Sequence, residues 1–254
     1  MCHDSNAAFA AFSNDPDFRA AHPAPKPVEV VHGGVDVTFP VASGENGRGF
    51  LVKSHAATDM YLFLFHEWWG LNNYIRNEAA MWSHELGINV LAVDLYDGKV
   101  AATADEAGQL MRACDPARAA AIIRGAATFA GDKADFRTMG WCFGGGWSLQ
   151  AALALGERAK ACVIYYGMPE KDVERLKSLS TDVLMIHAKK DQWINDEVVR
   201  GFKEIMEEAG KTLIVREYDA DHAFANPSSP RYNEPAAKAS REQVKKYLSG
   251  ESGK

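Results

Sequence analysis

From Val35 onward, short apolar runs of strand length alternate with longer segments of helical period, and few folds accept that alternation. Val35–Pro40 alternates apolar and polar residues, and Arg48–Lys53 follows after a Gly-rich turn, the pattern of an antiparallel hairpin. Met60-Tyr-Leu-Phe-Leu-Phe65 is continuously apolar, as expected of a strand covered on both faces. Asn73 is placed to cap a helix with Ile75, Ala79, Trp82 and Leu86 on one face, ending at Gly87. Ile88–Val93, Phe136–Trp141, Ala161–Tyr165, Val183–His187 and Thr212–Tyr218 read as further strands. Helices are expected between them. One is opened by Asp115-Pro116 and buries Ile122, Ala126 and Phe129. Another, Gly144–Leu155, is apolar nearly all round. A third, Asn195–Ala209, turns Val198, Phe202, Ile205 and Ala209 inward, and Glu234–Leu248 is the last. A hairpin followed by repeated strand–helix units predicts an α/β fold: a mainly parallel sheet with helices on both faces.

The 254 residues suit a single α/β domain, placed at 31–250 behind an N-terminal arm and Pro-rich linker at 1–30. His22-Pro-Ala-Pro-Lys-Pro27 stiffens that linker. The plain expectation for the arm is partial order; the other is that it packs on a neighbour or on the pocket. With 28 Lys+Arg against 34 Asp+Glu and no basic block, the chain makes a poor nucleic-acid binder. No apolar run approaches the roughly 20 residues of a membrane span, and no signal-peptide pattern opens the chain. Four cysteines without C-x-x-C spacing argue against a zinc ribbon or a disulfide framework and suit a reducing cytoplasm. The expectation is a cytoplasmic protein, a monomer or small homo-oligomer, acting on a small molecule.

In parallel α/β sheets, ligands and catalytic groups collect beyond the carboxyl ends of the strands. Gly140-Trp-Cys142-Phe-Gly144 lies between a predicted strand and helix and has the form of a nucleophile elbow with Cys in place of Ser. Its flanking glycines permit a sharp turn that presents the central side chain, and the helix N-terminus behind it favours a thiolate. A phosphate loop is excluded, since neither G-x-x-x-x-G-K-[ST] nor G-x-G-x-x-G is present. A buried structural cysteine is the bland alternative. Asp191 and His222 follow two later strands, giving the order nucleophile, acid, histidine. Asp219 and Asp221 are local rivals for the acid, and His187 for the base. His66-Glu67-Trp68-Trp69-Gly70 follows the apolar strand; Gly70 excludes an H-E-x-x-H zinc site. Trp68, Trp69, Tyr96 and Trp193 suggest an aromatic pocket.

Phe65-His-Glu67-Trp-Trp-Gly-Leu-Asn72, Val93-Asp-Leu-Tyr96, Gly140-Trp-Cys142-Phe-Gly-Gly145, Tyr165-Tyr-Gly167, Asp191 and Asp221-His222-Ala-Phe224 together resemble the dienelactone hydrolase family, from about Val35 to Leu248. The resemblance implies an α/β-hydrolase fold and a Cys142–His222–Asp191 triad cleaving a small ester or lactone through an acyl-enzyme, with no cofactor or metal. It further implies that Glu67 takes part in thiol activation and that the backbone N–H groups of Phe143 and Trp68 form the oxyanion hole. The chain departs from the family just after His222, where a serine and an arginine that hold the substrate carboxylate are replaced by Ala223-Phe224-Ala225-Asn226. Asn226 offers a hydrogen bond without charge, which favours neutral esters unless Arg112 or Arg231 reaches the pocket. Cys2, Cys114 and Cys162 have no catalytic context. The competing class is a non-catalytic small-molecule-binding or thiol-sensing protein on the same fold, which would need neither His222 nor the acid.

Overall fold

The computed structural model describes residues 9–29, 33–42 and 44–251. Eight strands form one sheet: β1 (Val35–Phe39), β2 (Gly47–Val52), β3 (Met60–Phe65), β4 (Asn89–Asp94), β5 (Asp135–Trp141), β6 (Ala159–Tyr165), β7 (Val183–Ala188) and β8 (Leu213–Tyr218). They lie in the order β1-β2-β4-β3-β5-β6-β7-β8. β2 pairs antiparallel with both β1 and β4, and every later pairing is parallel. This is the hairpin and mainly parallel sheet that the alternation predicts, in the α/β-hydrolase arrangement that the resemblance implies. The order steps from β4 back to β3 and on to β5, so the ends of β3 and β5 adjoin at mid-sheet, where a ligand crevice forms.

The main helices are α1 (Pro16–Ala21), α2 (Asn73–Leu86), α3 (Ala104–Ala113), α4 (Pro116–Ala130), α5 (Phe143–Leu155), α6 (Val173–Leu176), α7 (Asp196–Glu208) and α8 (Glu234–Ser249). α5 packs on β3, β5 and β6 and against α4, while α2 packs against α8. Asp115 caps α4 by accepting from the N–H groups of Ala117 and Arg118, with Pro116 as the first helical residue. Gly87 closes α2 in the left-handed conformation, φ 65°.

Three local expectations are corrected. The cap of α2 is Asn72, whose side chain accepts from Ile75 N–H; Asn73 instead donates to the Val28 carbonyl. The buried face of α7 is Val199, Phe202 and Met206, with Val198 and Ile205 only half-buried at its flank. Phe129 is 40% exposed rather than buried, its ring 5.7 Å from that of Phe39. The described part of the arm, residues 9–29, contains α1 and lies across the carboxyl end of the sheet. Asp15 caps α1 and Pro16 opens it, the same signal that begins α4.

α2 and α8 are joined by Arg241, which donates to Glu78 and Glu85, both at 2.8 Å, and stacks 4.1 Å from the Trp82 ring centroid. Glu78 is 6% exposed and would be left without its cation by truncation. Arg241→Ala should therefore lower the unfolding free energy by roughly 3 kcal/mol, read from the urea midpoint at unchanged slope.

Candidate active site

Cys142 stands on the elbow between β5 and α5 with φ 57° and ψ −123°, a conformation that costs a non-glycine residue of order 1–3 kcal/mol. Its neighbours make the turn possible. A β-carbon on Gly140 would collide with the backbone of Gly144, and one on Gly144 with the carbonyls of Phe65 and His66. The end of β3 therefore lies directly against the first turn of α5, which carries Glu67 and Trp68 to the cavity beside Cys142. His66 pins this loop: its Nδ1 donates to the Glu67 carbonyl (2.7 Å) and its Nε2 accepts from Leu95 N–H (3.1 Å).

Asp191 follows β7 and His222 follows β8, both with fully buried side chains. His222 Nδ1 donates to Asp191 Oδ2 at 2.5 Å, while Oδ1 accepts from the N–H groups of Trp193 (2.9 Å) and Ile194 (3.0 Å). Three hydrogen bonds thus fix the acid and the ring, and His222 Nε2 is left with no partner in the hydrogen-bond network. Cys142, His222 and His22 each bring a ligand-type atom within 4.8 Å of the others. Glu67 Oε2 accepts from Asn226 Nδ2 at 2.6 Å, and Asn226 Oδ1 accepts from Ser228 N–H and Oγ–H.

The arm covers this centre. Phe18 meets Trp68 and Trp193 edge-on at 5.1 and 5.0 Å, and Phe9 stacks over the His222 ring at 6.4 Å. His22 donates through Nδ1 to the Phe18 carbonyl (2.6 Å), and its ring lies 5.0 Å from that of His222. The remaining cavity is about 20 Å³, lined by His22, Pro23 and Pro25 of the arm and by Glu67, Trp68, Cys142 and Asn226 below. That is room for about one water.

Burial sets the electrostatics. It pushes the Cys142 thiol above the ordinary cysteine range, while the charge of His222 beside it pulls it back only in part. The thiolate favoured by the helix N-terminus is therefore not the resting form: desolvation outweighs the helix. Burial also disfavours a charged His222, but Asp191 and the Cys142 sulfur outweigh it and raise the imidazole, which makes it a stronger base toward the thiol proton. Each of the pair stabilises the charged form of the other, so a proton leaving Sγ is held at the adjacent ring. Burial works against an ionised Asp191 as well, yet His222 and the two N–H donors hold it below the usual carboxylate range. Glu67 is pushed up to about 7 by burial, against the pull of Asn226 and His222. Burial and His222 push His22 down to about 3.

The other sequence candidates separate cleanly. Trp69 lines the Cys142 cavity, and Trp193 packs on the arm. Tyr96 packs on His66 and Phe143. Asn226 holds Glu67. Arg112 donates to Ser13 of the arm at 2.6 Å and lines a neighbouring 320 Å³ cavity with Met111, Phe143 and Trp147. Arg231 stacks over Trp193 at 5.9 Å, and its charge is felt at His22. The rivals stand elsewhere: His187 pairs with Asp196 at 2.8 Å, Asp219 pairs with Lys190 at the surface, and Asp221 is exposed. Burial pushes Cys114 and Cys162 up to about 12 and about 11, and Cys2 lies outside the described residues. Sequence reasoning missed Phe18 and His22; the Asp15-Pro16 start signal was the available clue.

A model of the dienelactone hydrolase family matches residues 48–252. The chain belongs to that family. It is a hydrolase of this type, 28% identical over 195 residues to protein usf of Aquifex pyrophilus, across 70% of this chain and 84% of that one. It is 24% identical over 220 residues to carboxymethylenebutenolidase 1 of Cupriavidus pinatubonensis, across 80% and 90% of the two chains. In fold it is similar to a dienelactone hydrolase-like promiscuous phosphotriesterase from metagenomic libraries, with a TM-score of 0.74 at 20% identity, covering 87% of this chain and 99% of that one. Among the described residues no helix is long and apolar enough to cross a membrane.

Glu67 gives this family member a pH signature. Between its ordinary 4.5 and about 7, the folded state binds the proton that the unfolded state has released, so stability falls as pH rises through that window. Glu67→Gln removes the effect. Relative to wild type, the variant should gain on the order of 3 kcal/mol of stability on going from pH 4.5 to pH 8, measured by urea unfolding at both.

Proposed function

We propose that this hydrolase cleaves a small ester or lactone through a Cys142 acyl-enzyme, with His222 as base and Asp191 as its orienting acid. The observation that carries the reading is the 2.5 Å His222–Asp191 bond, which fixes the Nδ1–H tautomer and leaves Nε2 for the thiol. Sγ attacks the acyl carbon as its proton passes to Nε2, and the oxyanion is received by Phe143 and Trp68 N–H, each donor contributing roughly 3 kcal/mol. Collapse expels the alcohol oxygen, which takes the proton from His222. Water then gives a proton to Nε2 and its hydroxyl to the thioester, releasing the acid and restoring the thiol. Glu67, titrating near neutrality beside the thiol, acts as a relay for the Sγ proton while ionised.

Cys142→Ala should abolish turnover of a p-nitrophenyl ester, and Asp191→Asn should lower kcat by about 10⁴ with the fold retained by circular dichroism. Asp221→Asn should stay near wild type; a loss equal to that of Asp191→Asn would move the acid.

For the substrate, Asn226 is committed to Glu67, and Arg112 to the arm. Arg231 is the cation we assign to a substrate carboxylate, because it sits over Trp193 within electrostatic reach of the site. On this reading a carboxylate-bearing substrate is preferred to the neutral esters expected from Asn226 alone. A free acid substrate should exceed its methyl ester in kcat/KM by about tenfold, 1.4 kcal/mol, and Arg231→Ala should erase the difference. Equal values in the wild type would return the preference to neutral esters.

A further inference from the structure

We infer that His22 of the arm, Cys142 and His222 form a binding site for a thiophilic divalent cation such as Zn²⁺, and that its occupation locks the arm shut and stops the enzyme. The inhibitory part rests on the proposed nucleophile; the site itself does not.

The geometry has the parts of a metal centre. One ligand atom from each of the three residues lies within 4.8 Å of the others, and all three residues are buried. In both imidazoles Nδ1 is already committed, to the Phe18 carbonyl in His22 and to the Asp191 carboxylate in His222. Each ring therefore keeps Nε2 for a ligand, and neither Nε2 has a partner in the hydrogen-bond network. Carbonyl and carboxylate partners of this kind orient metal-ligating histidines and raise their basicity. Two imidazoles and a thiolate suit Zn²⁺. Metal–donor bonds of about 2.0 Å to nitrogen and 2.3 Å to sulfur require the donors to draw in slightly, which side-chain rotation and a small settling of the arm can supply. The adjoining cavity holds about one water, enough for a fourth ligand.

The step balances simply. Zn²⁺ displaces the thiol proton, which leaves to bulk solvent, and forms one Zn–S and two Zn–N bonds. Sγ and Nε2, the nucleophile and the base, are then both occupied. Because His22 belongs to the arm, the cation also ties the cover to the centre it covers. Residue spacing hides such a site: its ligands come from the arm, the β5–α5 elbow and the loop after β8.

Titrating the full chain with Co²⁺, a spectroscopic stand-in for Zn²⁺, tests this. One equivalent should produce a thiolate-to-cobalt charge-transfer band and the intense visible bands of a four-coordinate ion. The charge-transfer band should vanish in Cys142→Ala. Affinity should fall at least tenfold in His22→Ala and recover in His22→Cys, which restores a ligand on a folded arm. Zn²⁺ inhibition of ester turnover, taken relative to each variant's own rate and reversed by a chelator, should shift in parallel. Wild-type affinity in His22→Ala, or a wild-type cobalt spectrum without the sulfur band, would overturn the site. Cobalt binding as described in a protein that turns over no ester would instead sink the proposed hydrolysis and leave the site standing.

Discussion

Gly144 lets the first turn of α5 rest on the carbonyls that end β3, and the placement of Cys142 against Glu67 and Trp68 follows from that contact. The elbow holds Cys142 in a conformation that only surrounding packing can maintain. β3 brings Glu67 from one side, while β7 and β8 bring Asp191 and His222 from the other. A side chain at Gly144 would push the helix off β3 and move the sulfur relative to a ring pinned by its own, separate hydrogen bonds. Misplacement by about 1 Å can cost a reaction of this kind 10²-fold. The glycines are thus a condition for chemistry as much as for folding.

Buried polar atoms normally find partners, and around Cys142 they largely do. Asp191 accepts three hydrogen bonds, Glu67 is held by Asn226, and Asn226 is held by Ser228. The Nε2 atoms of His222 and His22 stand apart, unpartnered in that network and facing the thiol. The scaffold spends its hydrogen bonds on orientation and leaves the reactive atoms available.

Much of this was legible in the sequence. Strand ends announced themselves as apolar runs broken by Glu67, Cys142, Asp191 and His222, because a parallel sheet delivers its functional residues at one edge. What stayed hidden depends on long-range packing. Helix phase is one case: Val199 and Met206 face inward on α7, yet Val198 and Ile205 make an equally regular stripe. Arg112 is another, since its partner Ser13 lies 99 residues away. The capping box at Thr103 and Glu106 was readable as T-x-x-E, yet α3 was missed for want of a strong apolar period. The thiol shows the limit most clearly. A sequence displays the helix N-terminus that favours a thiolate, but not the burial that overrides it.

The arm contributes to that burial, since His22, Pro23 and Pro25 line the cavity at Cys142, which makes access and reactivity one question. Phe9, Phe18 and His22 are the groups that close over Cys142, and they leave space for about one water where an ester must sit. A substrate therefore enters only when this cover shifts. The same shift lets water reach Glu67 and Cys142, whose raised pKa values both have desolvation as their largest cause. Rehydration moves both toward their ordinary values, so the thiolate becomes easier to form as the site becomes accessible. In the covered state the thiol keeps its proton and a small electrophile has no path to it. For the nucleophile we propose, closing the arm gives protection and lower reactivity through one physical cause, the exclusion of water.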